Sequence, residues 1–206
     1  MANFLIDGAL NAALDAIAAR LDQVSLHSAY SASGANEVTG GSYARQAITW
    51  SAAASGALDS SNAPSFSVPS GQTVRFIGFW NTAASPNTFE GMVPNQQSGD
   101  VGPQRFVVDT TAETIEAPAH GLLDDEGVVF IGGTAPGGLT EGTIYYVCNA
   151  GSDNFQVQAV QGASPASPIN LTSQGDQDVR FWQVREEAYA SDGTFNLNDM
   201  DFDFLT

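Results

Sequence analysis

Two histidines, one cysteine and 23 carboxylates are the residues with which this chain could do chemistry. Acid–base or nucleophilic catalysis needs a histidine within reach of an exposed nucleophile, in a setting such as a G-x-S-x-G elbow. His27 stands at an expected helix-to-strand junction, and His120 lies in the turn Ala117-Pro118-Ala119-His120-Gly121. Neither has such a partner. Carboxylates are plentiful enough to contain a glycosidase pair, but scattered acids are what this composition supplies anyway. The expectation is no enzyme and no catalytic residue.

Metal binding is the more tempting chemistry. Asn198, Asp199, Asp201 and Asp203 crowd one end, and Asp124-Asp125-Glu126 form a second group. Hard cations need converging oxygens. Alternate residues of a strand instead stand in a row, roughly 6–7 Å apart. The glycine and spacing of a calcium loop are missing, so no metal site is expected. Gly132-Gly133 and Gly137-Gly138 lack the lysine and helix start of a phosphate cradle. No cofactor is expected. Trp80, Trp182, Tyr145 and Tyr146 alternate with polar residues and read as core filling rather than a sugar platform. Cys148, beside Ile144–Val147, reads as a buried, inert thiol.

All six basic residues are arginine, and the net charge is −17. Such a surface repels nucleic-acid phosphates and anionic membranes, so neither is expected as a partner. No run reaches the roughly 18 apolar residues of a membrane span, and Met1–Asp7 has no secretory pattern. The expectation is synthesis in a cytoplasm. Only 14% of residues are charged, against about 25% in ordinary domains. The balance is made up by residues that favour turns and strands.

These side chains must be positioned by mostly β elements. Leu10, Leu14, Ile17, Leu21 and Val24, spaced 4-3-4-3, predict an N-terminal helix with Asp7 as its cap. The seam either covers its own sheet or pairs with other subunits, which makes Leu10, Leu14, Ile17 and Leu21 candidate subunit contacts. Strand-like runs follow at 46–51, 65–68, 73–80 and 88–93. The run 73–80 is apolar on both faces and so should be central. Residues 94–104 read as a linker. Short strands then recur at 105–108, 114–117, 128–131, 143–149, 155–160 and 179–184, with a hairpin at 149–154. The end, 193–205, is strand-like with a phase slip at Asn198-Asp199, and it must add to an existing sheet. The reading is an all-β chain. A discontinuous β-sandwich domain, 1–95 plus 186–206, carries the helix, and a small β-barrel or sandwich module, 96–185, is inserted into it. Glu37 and Arg45 flank a Gly-rich loop and could close it by a charge-assisted hydrogen bond.

The runs Leu26-His27-Ser28-Ala29-Tyr30 and Gly34-Ala35-Asn36-Glu37-Val38-Thr39-Gly40-Gly41-Ser42-Tyr43-Ala44-Arg45-Gln46 resemble a signature of small tailed-phage virion proteins. Pro69–Gly71 with Val74–Trp80, and Gly193–Asp199, resemble that family's later blocks, although Ser28–Ser31 lacks its usual Asp-Pro turn. The intervening stretch, with His120-Gly121-Leu122 and Gly142–Val147, is similar to a β-rich repeat of phage fibre and decoration proteins. The resemblance implies a structural component of the virion, assembled in the host cytoplasm. Its partners would be other virion proteins and copies of itself, as a trimer or hexamer. The expected place is the tail, tail tip or fibre. The alternatives are a capsid decoration protein, or a carbohydrate-binding module contacting a host surface glycan through Trp182, Tyr145 and Tyr146.

Overall fold

The computed structural model describes residues 7–84, 86–198 and 200–203. The chain is mostly β and divides into two compact units, Met1–Val93 with Ala188–Thr206, and Pro94–Glu187. It opens with α1 (Asp7–Ala18), then β1 (Gln23–His27), β2 (Gln46–Ala47), β3 (Ala57–Asp59), β4 (Ser65–Val68), β5 (Gln72–Val74), β6 (Phe76–Asn81) and β7 (Thr88–Pro94). The second unit holds β8 (Val107–Asp109), β9 (Thr114–Glu116), β10 (Gly127–Ile131), β11 (Ile144–Cys148), β12 (Asn154–Gln158) and β13 (Arg180–Val184). The chain closes with β14 (Glu187–Tyr189), β15 (Gly193–Asn196) and β16 (Asp201–Asp203).

In the first unit β2-β1-β6-β7 form one sheet, with β6 central as its two apolar faces require. One face carries Val24, Leu26, Ile77 and Phe79 into a core shared with Phe66 and Val68 of β4 and Phe195 of β15. The last strands do not extend the four-stranded sheet as expected: β15 pairs antiparallel with β4, and β16 with β3, each pair a separate two-stranded sheet. The run 73–80 is broken at Arg75 into β5 and β6, which belong to different sheets. The phase slip falls partly on Asp199, outside the described residues.

The helix is shorter than its spacing predicts. It ends at Ala18, where tight turns, Arg20 N–H to Ile17 O at 2.8 Å and Leu21 N–H to Ala18 O at 3.1 Å, lead into β1. Leu10 and Leu14 are buried on the helix, and Leu21 is buried beyond its end. Val24 lies in β1. Ile17 is 36% exposed. Two polar side chains of the helix hold the segment before β3: Asn11 Oδ1 accepts from Gly56 N–H at 2.9 Å, and the exposed Asp15 Oδ1 from Ala53 N–H at 2.8 Å. Ala9, Ala12, Ala13, Ala16 and Ile17 are left facing out.

The second unit is an open sheet ordered β13-β10-β11-β12-β9-β8. Its core centres on Phe130, Phe155, Phe181, Val147 and Leu171. The expected barrel does not form; among the described residues no sheet closes on itself. Its edges are covered locally instead. Gln104 exchanges two backbone hydrogen bonds with Phe181, and Gln183 N–H donates to Val101 O, which covers β13. At β8 the Gln174 amide takes the place of a strand: Oε1 accepts from Val108 N–H at 2.6 Å and Nε2 donates to Phe106 O at 3.3 Å. Where the chain enters and leaves this unit, Arg185 N–H donates to Asn95 O at 2.9 Å and Asn95 Nδ2 donates back to Arg185 O at 3.3 Å. Asp100, with 4% of its side chain exposed, holds Arg185 through two bonds of 2.6 and 2.7 Å.

Candidate functional site

A buried polar cluster is built on the outer face of β1 and β6 by the segment that follows β1. Ser25 and His27, two apart on a strand, share a face and are both 0% exposed. His27 Nδ1 lies 2.8 Å from Ala35 O, which can only accept, so Nδ1 carries the ring proton. His27 Nε2 therefore accepts from the Ser25 hydroxyl at 2.7 Å. Ser25 Oγ in turn accepts from the Trp80 indole N–H at 2.7 Å. Desolvation lowers the pKa of His27 below the ordinary imidazole value; the Ala35 hydrogen bond and Glu37 oppose this, and Arg45 adds to it.

Around this relay the signature residues each have a mechanical task. Gly34, at φ +77°, sits where a side chain would strike Phe89 and Trp80. Glu37 receives Arg45 through bonds of 2.7 to 3.1 Å and the Tyr43 hydroxyl at 3.2 Å. Tyr43 Oη accepts from Leu26 N–H at 2.8 Å, and its burial pushes the phenol pKa well up. The Arg45 guanidinium lies 3.4 Å from the centre of the Trp80 ring. Val38 N–H donates to Leu26 O, and its side chain enters the core.

A serine against a histidine has the outline of a nucleophilic dyad, a pairing that the sequence reading missed. Its signal is the Ser25-x-His27 alternation, which the helical spacing of Leu21 and Val24 masks. The geometry argues against catalysis. The Ser25 hydroxyl is sealed from solvent and already accepts from Trp80, and a backbone carbonyl stands where a triad's carboxylate would be.

His120 is buried, with Leu122 N–H donating to Nδ1 and Nε2 donating to Asn154 O. Asp124, Asp125 and Glu126 each accept a backbone N–H, from Ala150, Gly162 and Leu123. They organise turns and do not converge. Asp201 lies directly across from Asp59 in the β16–β3 register. Among the described residues no group of His, Cys, Asp or Glu could hold a metal ion. Tyr145 is buried, and Trp182 and Tyr146 are half-buried, the Tyr146 hydroxyl donating to Glu186 at 2.6 Å. Cys148 is buried, and desolvation, then Asp124 and Asp125, push its thiol up to about 11. Gly137 and Gly138 pack against Thr172, Ser173 and Asn170, so these glycines serve close loop packing. A groove of about 300 Å³ is lined by Ser42, Ser67, Thr194 and Asp192, whose Oδ1 accepts from Ser70 N–H.

Residues 3–101 match the family model described as Podophage GP4 fiber I protein gp80. No curated protein and no solved structure matches the chain at a significant level. The match to a fibre protein supports a virion-associated location. Over residues 3–101 the chain is therefore homologous to a phage tail-fibre-like family.

Proposed function

We propose that the chain is a fibre- or tail-associated structural component of a tailed-phage particle. In this reading a discontinuous β-sandwich unit is the part that attaches to the particle, and the unit 94–187 is an insertion into it. The family match over residues 3–101 carries the proposal. The mutual hydrogen bonds of Asn95 and Arg185 support the insertion, because they bring the two crossings of the chain together. Assembly runs through contacts between copies and with other virion proteins. With Leu10, Leu14 and Leu21 buried within their own unit, the candidate contact on α1 shifts to Ala9, Ala12, Ala13, Ala16 and Ile17. Those five side chains are uncharged on a chain of net charge −17, with the exposed Asp15 at their edge, so two copies meet there with little repulsion. The half-buried Trp182 and Tyr146 give little support to a glycan platform.

The test is imaging of purified particles carrying a tagged copy of the chain. Density at the tail or fibre base is expected. Copies at capsid threefold positions would favour a decoration role, and absence from particles would defeat both.

A further inference from the structure

We propose that His27 is a proton-sensitive latch, which holds the loop 28–36 on the four-stranded sheet and releases it on acidification. With one ring proton, every polar atom along Trp80, Ser25, His27 and Ala35 meets a partner of the right kind. A second ring proton breaks that order. Nε2 then becomes a donor aimed at Ser25 Oγ. The serine must turn its own hydrogen toward Gly78 O, 3.5 Å away, while accepting from both Trp80 and His27. The new charge meets no water, because His27 is 0% exposed.

The charged neighbours do not offset it. Glu37 and Arg45 act on the ring in opposite senses and are bonded to each other at 2.7 Å. On β7, Glu90 is bonded to Arg20, and β6 brings Phe76, Gly78 and Trp80 to this face. Arg75, next along the chain from β5, donates to Ser28 O at 3.0 Å. Within 28–36 the only ionisable side chain is the Tyr30 phenol.

The loop is built to move as a piece. Ser31 Oγ accepts from the N–H groups of Ser33 and Ala35, Asn36 Nδ2 donates to Tyr30 O, and Ser28 N–H donates to Asn36 O. Its ties to the sheet include the His27–Ala35 bond, the Arg75 bond and a 3.3 Å contact from Ser31 N–H to Met92 Sδ. Lifting the loop would uncover Trp80 and Phe89, on which Gly34 rests. The sign follows from the depressed value in the folded state. The latch is fully fastened above the unfolded histidine value of about 6.5 and is lost as pH falls through the lower folded value.

Amide and indole exchange in the full chain, corrected for the intrinsic effect of pH, tests this at about pH 7.5 and about pH 5. In the wild type, acidification should speed exchange of the Ser31 amide, which donates to Met92 Sδ on β7, and of the Trp80 indole N–H at least about tenfold relative to β10–β13. His27→Gln, whose side-chain amide can donate to Ala35 and accept from Ser25, should show no such change. The latch is refuted by unchanged loop exchange in the wild type, by an equal acid response in His27→Gln, or by loss of protection spread evenly through the first unit. None of these outcomes bears on where the chain sits in a particle.

Discussion

Gly78 lies directly beneath the hydrogen bond that joins Ser25 to His27. A methyl group at Gly78 would stand 2.7 Å from Ser25 Oγ and closer still to the imidazole. This glycine serves as a gap in the sheet through which a polar bond passes. Gly78→Ala should destabilise the protein by about 1–3 kcal/mol, the usual range for overpacking a tight interior. Urea unfolding reads this directly, and an unshifted midpoint would mean the bond does not cross there.

Arg45 is bonded to Glu37, which also receives the Tyr43 hydroxyl, and its guanidinium lies over the Trp80 ring. Its side chain is 27% exposed and that of Glu37 is 18% exposed. Arg45→Met should therefore lose about 1–3 kcal/mol, above the range of an exposed pair. A double-mutant cycle with Glu37→Gln should give a coupling near 1 kcal/mol. Additive losses would show that the loop is not closed by this pair.

Gln174 occupies the open side of β8 with both ends of its amide. Gln174→Ala should lower stability by about 1 kcal/mol and leave a bare strand edge. Light scattering at rising concentration should then detect association beyond the state that the wild type reaches. A variant as monodisperse as its parent would show that the edge needs no guard.

The segment 94–187 should fold as an isolated fragment, with a cooperative thermal transition, because it has its own core and its ends are bonded together. A fragment without near-ultraviolet circular dichroism would show that the unit depends on its host.

Asp201 and Asp59 oppose one another across two strands, both exposed. Like charges in that register repel. Asp201→Asn should raise the melting temperature slightly, and less so in high salt. A lowered melting temperature would give Asp201 a stabilising role that the register does not explain.

The sequence was most legible where alternation was long enough to count. Ser65–Val68 is a strand with the bounds its pattern predicts, and β10 to β13 lie within a residue or two of theirs at the N-terminal ends. β3 and β14 were invisible because three-residue strands such as Ala57-Leu58-Asp59 have no period to read. Leu21 and Val24 extended the helical spacing by coincidence. No glycine or proline marks the end at Ala18, and the two residues fill the core from a turn and a strand. The Glu37–Arg45 pair was open to sequence reasoning because it depends on a short loop. The Ser25–Trp80 bond spans 55 positions and depends on a strand pairing that no local pattern encodes.

The clasp between Asn95 and Arg185 has a consequence for inheritance. Under the proposed insertion, everything between those two residues takes the place of a tight hairpin in the first unit. Recombination at two neighbouring points could then exchange the whole stretch for an unrelated one, while the pairings of Phe66 with Phe195 and of Ile77 with Leu26 stay encoded in the first unit. Related particles could thus diverge sharply in one half of this protein while the other half stays recognisable.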